Sequence, residues 1–221
     1  LSRALEFYGS EERELVNFDP SGIYNDPKLL GSVDEFLSWE APKKGGLQPA
    51  AQTIWLYQEL LREAKKVSVE ALVSEDLKRL NFIHGRSGGV ESDRQYAQNL
   101  RNLLKEHNEN AVAAEVAYYI ASLYYDQGEA NSDPNHEARW HWRTADSLCL
   151  IYIEKFPNSI GARNCKSLSE RIRMKDWGMD AEKAVLPDKP FRFLLNYRNL
   201  DENSQKTWPV YVEVASIDPL K

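Results

Sequence analysis

Histidines and glycines in this sequence come closest to the spacing of known catalytic motifs. His136 and His141 flank a glutamate, but they are five residues apart, and a zinc-binding helix needs its two histidines four apart on one face. We therefore predict a helix start there rather than a metal site. The run 85–89 is glycine-rich, but no Lys-Ser/Thr follows it and no strand precedes it. That pattern predicts a connecting turn rather than a phosphate-binding loop.

Carboxylates and serines are the remaining candidates for acid–base or nucleophilic chemistry. A glycosidase needs two carboxylates held across a cleft, and spacing alone does not establish such a pair. The serines lack the Gly-x-Ser-x-Gly elbow, and we expect them to be ordinary helix-surface residues. We therefore predict no catalytic, cofactor-binding or metal-binding residue, and the enzyme alternative is a helical-toroid hydrolase. The residues considered are Glu59, Glu63, Asp76, Asp146, Ser147 and Ser169.

Two cysteines lie symmetrically about a predicted turn. Cys149 and Cys165 are each eight residues from Pro157, which separates two predicted antiparallel helices, so the cysteines should lie at equal height. A disulfide requires a Cα separation of about 4.4 to 6.8 Å and an oxidising compartment. The pair therefore predicts either one disulfide or two buried free thiols.

The charge and hydropathy of the chain argue against two classes of partner. The 221 residues include 28 Lys and Arg against 34 Asp and Glu, for a net charge of -6. No basic cluster is long enough to follow a phosphate backbone, so we predict no nucleic-acid partner. No apolar stretch approaches the roughly 18 residues of a membrane span, so we predict no membrane insertion by this segment.

Apolar residues recur every three or four positions over most of the chain, which is the pattern of amphipathic helices. Residues 1–47 are interrupted by Pro and Gly and predict short helices in an irregular region. Residues 48–177 predict consecutive helices that form hairpins. These helices are predicted at 48–64, 69–84, 96–107, 111–125, 137–156 and 159–174.

Beyond residue 177 the period of the pattern changes to two, which is typical of strands. Apolar side chains alternate with polar ones in two runs, and the polar residues 201–206 between them predict a hairpin loop. Residues 178–221 are therefore predicted to be β-strands. The apolar positions of the two runs are Phe191, Phe193, Leu195 and Tyr197, then Val210, Val212 and Val214.

Part of the helical region has the spacing of a tetratricopeptide repeat. Tyr118, Ala121 and Tyr125 match its first helix, and Ala145 and Pro157 match its second helix after a lengthened loop. The predicted fold is therefore mainly α. In this predicted fold, tetratricopeptide-like antiparallel helical hairpins form a superhelix, and a short antiparallel β segment follows it.

Trp140 and Trp142 are the candidates for a partner-binding anchor. They are two residues apart on a predicted helix, so they cannot both face the same neighbour. Exposed tryptophans supply rigid contact area for a partner. We predict that one of the two is exposed.

Five short stretches carry a family resemblance: ALEFY at 4–8, DLKRLNF at 76–82, FPNSIGARNC at 156–165, LPDKPFR at 186–192 and YRNL at 197–200. In them the chain resembles the N-terminal helical region of large bacterial alpha-2-macroglobulin-like proteins. The resemblance implies that residues 178–221 open a macroglobulin-type β-sandwich. It also implies a periplasmic or cell-envelope location and a parent protein of the protease-trapping type.

The same resemblance implies no activity and no cofactor for this segment. Neither Cys149 nor Cys165 lies in the Cys-Gly-Glu-Gln thioester motif that some family members carry. The expected role is a non-enzymatic binding or scaffolding module. Its partners would be other domains of the same polypeptide or another protein. The alternative among binding proteins is a free-standing tetratricopeptide adaptor that captures a peptide in its groove.

Overall fold

The computed structural model describes residues 22–41, 49–129, 140–181, 190 and 192–199. The chain divides into two units, one up to Ile172 and one from Arg173 onward. The described residues begin with two short 3-10 helices, Ile23–Asn25 and Pro27–Leu30, and continue with α-helices and two strands. These elements are α1 Val33–Leu37, α2 Pro49–Val67, α3 Val69–His84, α4 Val90–Glu106, α5 Ala113–Glu129, α6 His141–Lys155, α7 Ile160–Arg173, β1 Asp176–Ala181 and β2 Phe193–Arg198.

The predicted mainly helical chain with a short antiparallel β segment is confirmed for these residues. In the first unit α1 and the residues that follow it pack onto α2 through backbone carbonyls. Gln58 of α2 is buried, and its Nε2 donates to the carbonyls of Phe36 and Trp39, both at 2.9 Å. Leu29 and Phe36 are fully buried. The helices described within residues 22–39 are all short, with three to five residues each.

Helices α2 and α3 are joined by one residue. Ser68 ends the α2 pattern, and its side chain accepts a hydrogen bond from the backbone N–H of Ala71 at 3.1 Å. This is the N-cap geometry that starts a helix without a longer loop. The connection therefore holds two long amphipathic helices as immediate neighbours. Their buried apolar positions include Ile54, Tyr57, Leu61, Val73, Leu77 and Leu80.

The turn between α3 and α4 is the glycine-rich run 85–89, as predicted. Gly89 has φ 96°, a conformation that a residue with a Cβ rarely adopts. Helix α4 begins at Val90, six residues before its predicted start at 96. Its first turn carries Glu91 and Asp93, and acidic residues favour a helix N-terminus. The apolar pattern used for the prediction does not include them, so the predicted start was too late.

Helices α5 and α6 are antiparallel. Tyr125 near the end of α5 stacks on Trp142 near the start of α6, with ring centroids 5.9 Å apart. Tyr152 near the end of α6 packs instead against Ala113 at the start of α5. Contacts therefore run in opposite directions along the two helices, as in a helical hairpin.

Helix α7 approaches the backbone of α5 closely. A Cβ on Gly161 would overlap the backbone of Ala114 and Glu115, so the approach requires a residue without a side chain. Four residues further along α7, the thiol of Cys165 lies 3.7 Å from the carbonyl oxygen of Ala114. The glycine thus sets the distance between the two helices.

The second unit contains an antiparallel pair of strands. Trp177 lies opposite Tyr197 and Met179 lies opposite Leu195. Side chains alternate between the two faces of a strand, so these residues and Phe193 share one face. Trp177 is 68% exposed and Tyr197 is 67% exposed. The hairpin therefore presents an exposed aromatic face.

Strand β1 begins two residues before the predicted boundary at 178, and neither of the two predicted apolar runs covers it. The predicted strand over Phe193–Tyr197 is confirmed, and its described partner is β1. Phe191, the loop at 201–206 and the apolar run at 210–214 lie outside the described residues.

Candidate binding groove

The first unit contains a groove of about 480 Å³, within the range of about 300 to 1,000 Å³ that is common for ligand pockets. Its walls come from the start of α1, the end of α2 and the facing sides of α3 and α4. We call it the α3/α4 groove. The lining residues used below are Asp34, Lys65, Val69, Leu72, Asp76, Asn99, Asn102, Leu103 and Glu106.

Asp76 is the buried carboxylate of this groove, with 3% of its side chain exposed. Its Oδ1 accepts hydrogen bonds from Nε and Nη2 of Arg79, at 2.9 and 2.6 Å. Burial raises the pKa of Asp76, and the guanidinium of Arg79 opposes that rise. No group in the described part of the chain donates to Oδ2. Because Asp76 lines the groove, Oδ2 is the acceptor that it offers there.

Two asparagines of α4 add one acceptor and one donor. The Nδ2 of Asn99 donates to the carbonyls of Leu30 and Gln95, which fixes the orientation of its amide. The Oδ1 of Asn102 accepts from Gln98 at 2.9 Å. Over the described ranges, nothing donates to Oδ1 of Asn99 and nothing accepts from Nδ2 of Asn102. Both groups are therefore available in the groove.

The walls of the groove are apolar and its rim is charged. Val69 is exposed, and Leu72 and Leu103 are half-buried. At the rim, Lys65 lies 3.4 Å from Asp34, and both side chains are exposed, so this pair adds little stability. Glu106 adds another exposed carboxylate. The groove thus combines apolar walls with an excess of acceptors.

The structure separates the two tryptophans as the sequence predicted. Trp140 is 52% exposed, whereas Trp142 is half-buried and its Nε1 donates to the carbonyl of Tyr125 at 3.0 Å. Trp140 is therefore the exposed member of the pair. It does not line the α3/α4 groove, and its binding of a partner stays a prediction.

Both cysteines are buried in one cluster between α5, α6 and α7. They are free thiols that interact with each other. The hydrogen bond between them, together with burial, raises the pKa of Cys149. The same hydrogen bond lowers the pKa of Cys165. The predicted shared interface is present, and the disulfide itself stays a prediction.

The carboxylates considered for catalysis are held by different local partners. Glu59 pairs with Arg62, Glu63 pairs with Lys66, Asp76 pairs with Arg79, and Asp146 accepts from Ser169. The prediction that Ser169 is an ordinary helix-surface residue is wrong, because it is buried and bonded to Asp146 at 2.6 Å. Its position on α7 faces α6 rather than solvent. Ser147 is exposed, as expected.

His136 and the helix start predicted there lie outside the described residues. His141 is the first residue of α6, and its ring contacts Tyr124 with centroids 5.4 Å apart. Within the described ranges, no three His, Cys, Asp or Glu side chains are placed to hold a metal ion. None of the helices described has both the length and the apolar character needed to cross a membrane.

Asp76 was predicted only as a candidate catalytic carboxylate, and the groove was not predicted from the sequence. One signal was present. Asp76 and Arg79 interrupt the apolar positions Val73, Leu77 and Leu80 of α3, and a charged pair inside an apolar stripe predicts a buried polar contact. No comparable pattern indicated Asn99.

Searches against protein-family models, curated proteins and solved structures found no significant match to this chain. The class that the fold and groove define is a mainly helical unit with antiparallel helix pairs, followed by a β-hairpin.

Proposed function

We propose that this chain is a non-enzymatic binding and scaffolding module at the N-terminal side of an envelope alpha-2-macroglobulin-like protein of the protease-trapping type. The observation that carries the proposal is the order of elements, in which helix pairs precede a β-hairpin with an exposed aromatic face. The resemblance implies that order, because the helical region of the family precedes a β-sandwich.

The proposed arrangement of the helices is a tetratricopeptide-like superhelix. Two small residues support it. Ala121 of α5 and Ala145 of α6 stand at the small positions of the repeat template, and both are fully buried where α5 and α6 pack together. Small side chains let antiparallel helices approach closely, and repetition of this contact stacks hairpins into a superhelix.

The proposed location is the periplasm or another part of the cell envelope, and the proposed partners are other domains of the same polypeptide or another protein. The aromatic face of the hairpin supports a partner within the polypeptide. A two-stranded hairpin is marginal in water unless a second layer covers its apolar side. Trp177 and Tyr197 would be covered if the next residues of the parent completed a sandwich.

Extension of the chain tests this proposal. Adding the residues that its gene encodes after Lys221, about 100 for one sandwich domain, should slow hydrogen exchange in β1 and β2 at least tenfold. Exchange in α2–α6 should stay unchanged. In the extended chain, Trp177→Asp should restore rapid exchange in the hairpin. A stop codon after Lys221, or unchanged exchange in β1 and β2, contradicts the proposal.

A second candidate is a free-standing peptide-binding adaptor, which the α3/α4 groove favours. An adaptor needs no downstream β-domain. It should bind its peptide with the same affinity whether or not the chain is extended, and the extension should not protect the hairpin.

A further inference from the structure

We propose that the α3/α4 groove binds an extended polypeptide segment through one basic side chain, Lys or Arg, whose cationic end reaches Asp76. This inference rests on the proposed binding function and names the chemistry of its ligand. It is carried by the unpartnered oxygen of a buried carboxylate, by the apolar walls around it and by the free amide groups of α4.

The buried carboxylate lacks one donor. Asp76 is almost fully buried, yet both N–H groups that Arg79 gives it go to Oδ1. Oδ2 can therefore accept a further hydrogen bond from a group that enters the groove. A guanidinium or ammonium that reached Oδ2 would form a charge-assisted hydrogen bond, which is among the stronger polar contacts in proteins.

The walls of the groove match the stem of a basic side chain. Lys and Arg have a long apolar stem that packs along apolar surface and a charged end that needs an acceptor. Val69, Leu72 and Leu103 supply the apolar surface, and Asp76 supplies the acceptor. A carboxylate ligand would find no donor at Oδ2 of Asp76 and would meet the like charge of Glu106, so the groove selects against acidic segments.

The asparagines match the backbone of the same segment. Oδ1 of Asn99 can accept from a peptide N–H, and Nδ2 of Asn102 can donate to a peptide carbonyl. Residues three apart on a helix face are about 5 to 6 Å from each other, which is less than two residues of extended chain. One short extended segment can therefore engage both asparagines while its side chain enters the groove.

Rim charges favour the same ligand. The rim of the groove has two carboxylates, Asp34 and Glu106, and one lysine, Lys65. The whole chain has a net charge of -6. This excess should attract a basic segment, and added salt should weaken the attraction because the rim is exposed.

Titration of the 221-residue chain with capped pentapeptides, followed by amide NMR shifts, tests the proposal. The probe acetyl-Ala-Leu-Arg-Leu-Ala-amide should bind saturably with a Kd below about 1 mM and should shift the side-chain amides of Asn99 and Asn102. Replacing its arginine by norleucine, which keeps an apolar stem, should weaken binding at least tenfold. Replacing it by glutamate should abolish binding.

A matched pair of variants locates the site. Asn102→Arg places a cation in the groove and should weaken the arginine probe at least tenfold. Gln98→Arg adds the same charge one turn earlier on α4 and breaks the same Gln98–Asn102 hydrogen bond, but Gln98 does not line the groove, so its Kd should change less than twofold. Asp76→Asn is less informative because it also removes the partner of buried Arg79.

Three results would overturn the inference. They are equal binding of the arginine and norleucine probes, equal weakening by the two variants, and binding of ethylguanidinium alone as tightly as the peptide. The extension experiment is independent of this titration. If no probe binds but the extension protects β1 and β2, the groove proposal fails and the module proposal stands.

Discussion

Arg79 connects three segments of the first unit from a fully buried position. Its guanidinium donates to Asp76 on its own helix and to the carbonyls of Leu29 and Gly31. It also lies 4.7 Å from the centroid of the Phe36 ring. The planar fork of arginine can serve these acceptors together, which an ammonium on one flexible stem cannot do.

Replacing Arg79 should therefore destabilise the protein strongly. We expect Arg79→Met to lower the free energy of unfolding by about 3 to 5 kcal/mol, because it leaves the carboxylate of Asp76 buried and unpaired. Urea unfolding followed by circular dichroism measures the change. The control is Arg94→Met, which breaks an exposed i,i+3 pair with Glu91 and should cost less than about 1 kcal/mol. Similar costs for both variants would contradict this role of Arg79.

Buried tyrosines predict a loss of stability at alkaline pH. Burial raises the pKa of Tyr57 from 10.0 to about 12, and it also raises the pKa of Tyr96. An unfolded phenol loses its proton near pH 10, before the folded one does. Stability contributed by these groups is therefore complete below pH 10 and is lost as the pH rises toward the folded values.

Absorbance at 295 nm should show part of the 11 tyrosines titrating well above pH 10 in the folded chain. The urea midpoint should fall as the pH rises from 10 toward 12. Tyr57→Phe should make that fall shallower. If all tyrosines titrate together near pH 10 before unfolding begins, these phenols are not buried as described.

The thiols of Cys149 and Cys165 should form a disulfide in an oxidising compartment, because they already interact in one buried cluster. Thiol titration of the chain secreted to the periplasm, denatured without reductant, should find no reactive thiols. Reduction should restore two. Two thiols per chain before reduction would show that the pair stays free.

Helices and strands were predictable from the sequence where buried apolar residues recur at a regular, short spacing. The predicted start of α2 is one residue from the observed one, because its buried positions recur every three or four residues. Strand β1 was missed because Gly178 and two aspartates are poor strand formers, even though Trp177 and Met179 alternate with them. The α3/α4 groove was not predictable, because tertiary packing brings Asp34, Asp76 and Asn102 together.

The close contact of α7 with α5 predicts a position that accepts no side chain. Gly161→Ala should lower the free energy of unfolding by at least about 2 kcal/mol, because the added methyl group would overlap rigid backbone of α5. Gly88→Ala is the matched control, because a Cβ there meets nothing within 4 Å. It should be neutral or slightly stabilising. Equal melting temperatures for the two variants would show that α7 moves away freely.

At the scale of the whole molecule, the aromatic face of the β-hairpin should make the isolated 221-residue chain self-associate. Two short strands leave edges and an apolar face exposed. Sedimentation velocity should detect dimers at tens of micromolar protein. Trp177→Ser with Tyr197→Ser should return the chain to a monomer. Leu194→Ser, on the opposite face of β2, should not. A monomeric parent chain at 100 µM would contradict this expectation.

The backbone carbonyls of residues 22–39 are bonded by side chains that are synthesised later, so this segment cannot complete its packing as soon as it is made. This segment leaves the ribosome before its buried partners Gln58, Arg79 and Asn99, which follow later in the chain. At about 5 to 20 residues per second, the last partner appears roughly 3 to 12 s after the segment is complete. Leu29 and Leu30 pack against α3 and α4 and remain uncovered longest, so the nascent chain offers a binding site to chaperones until α4 has emerged.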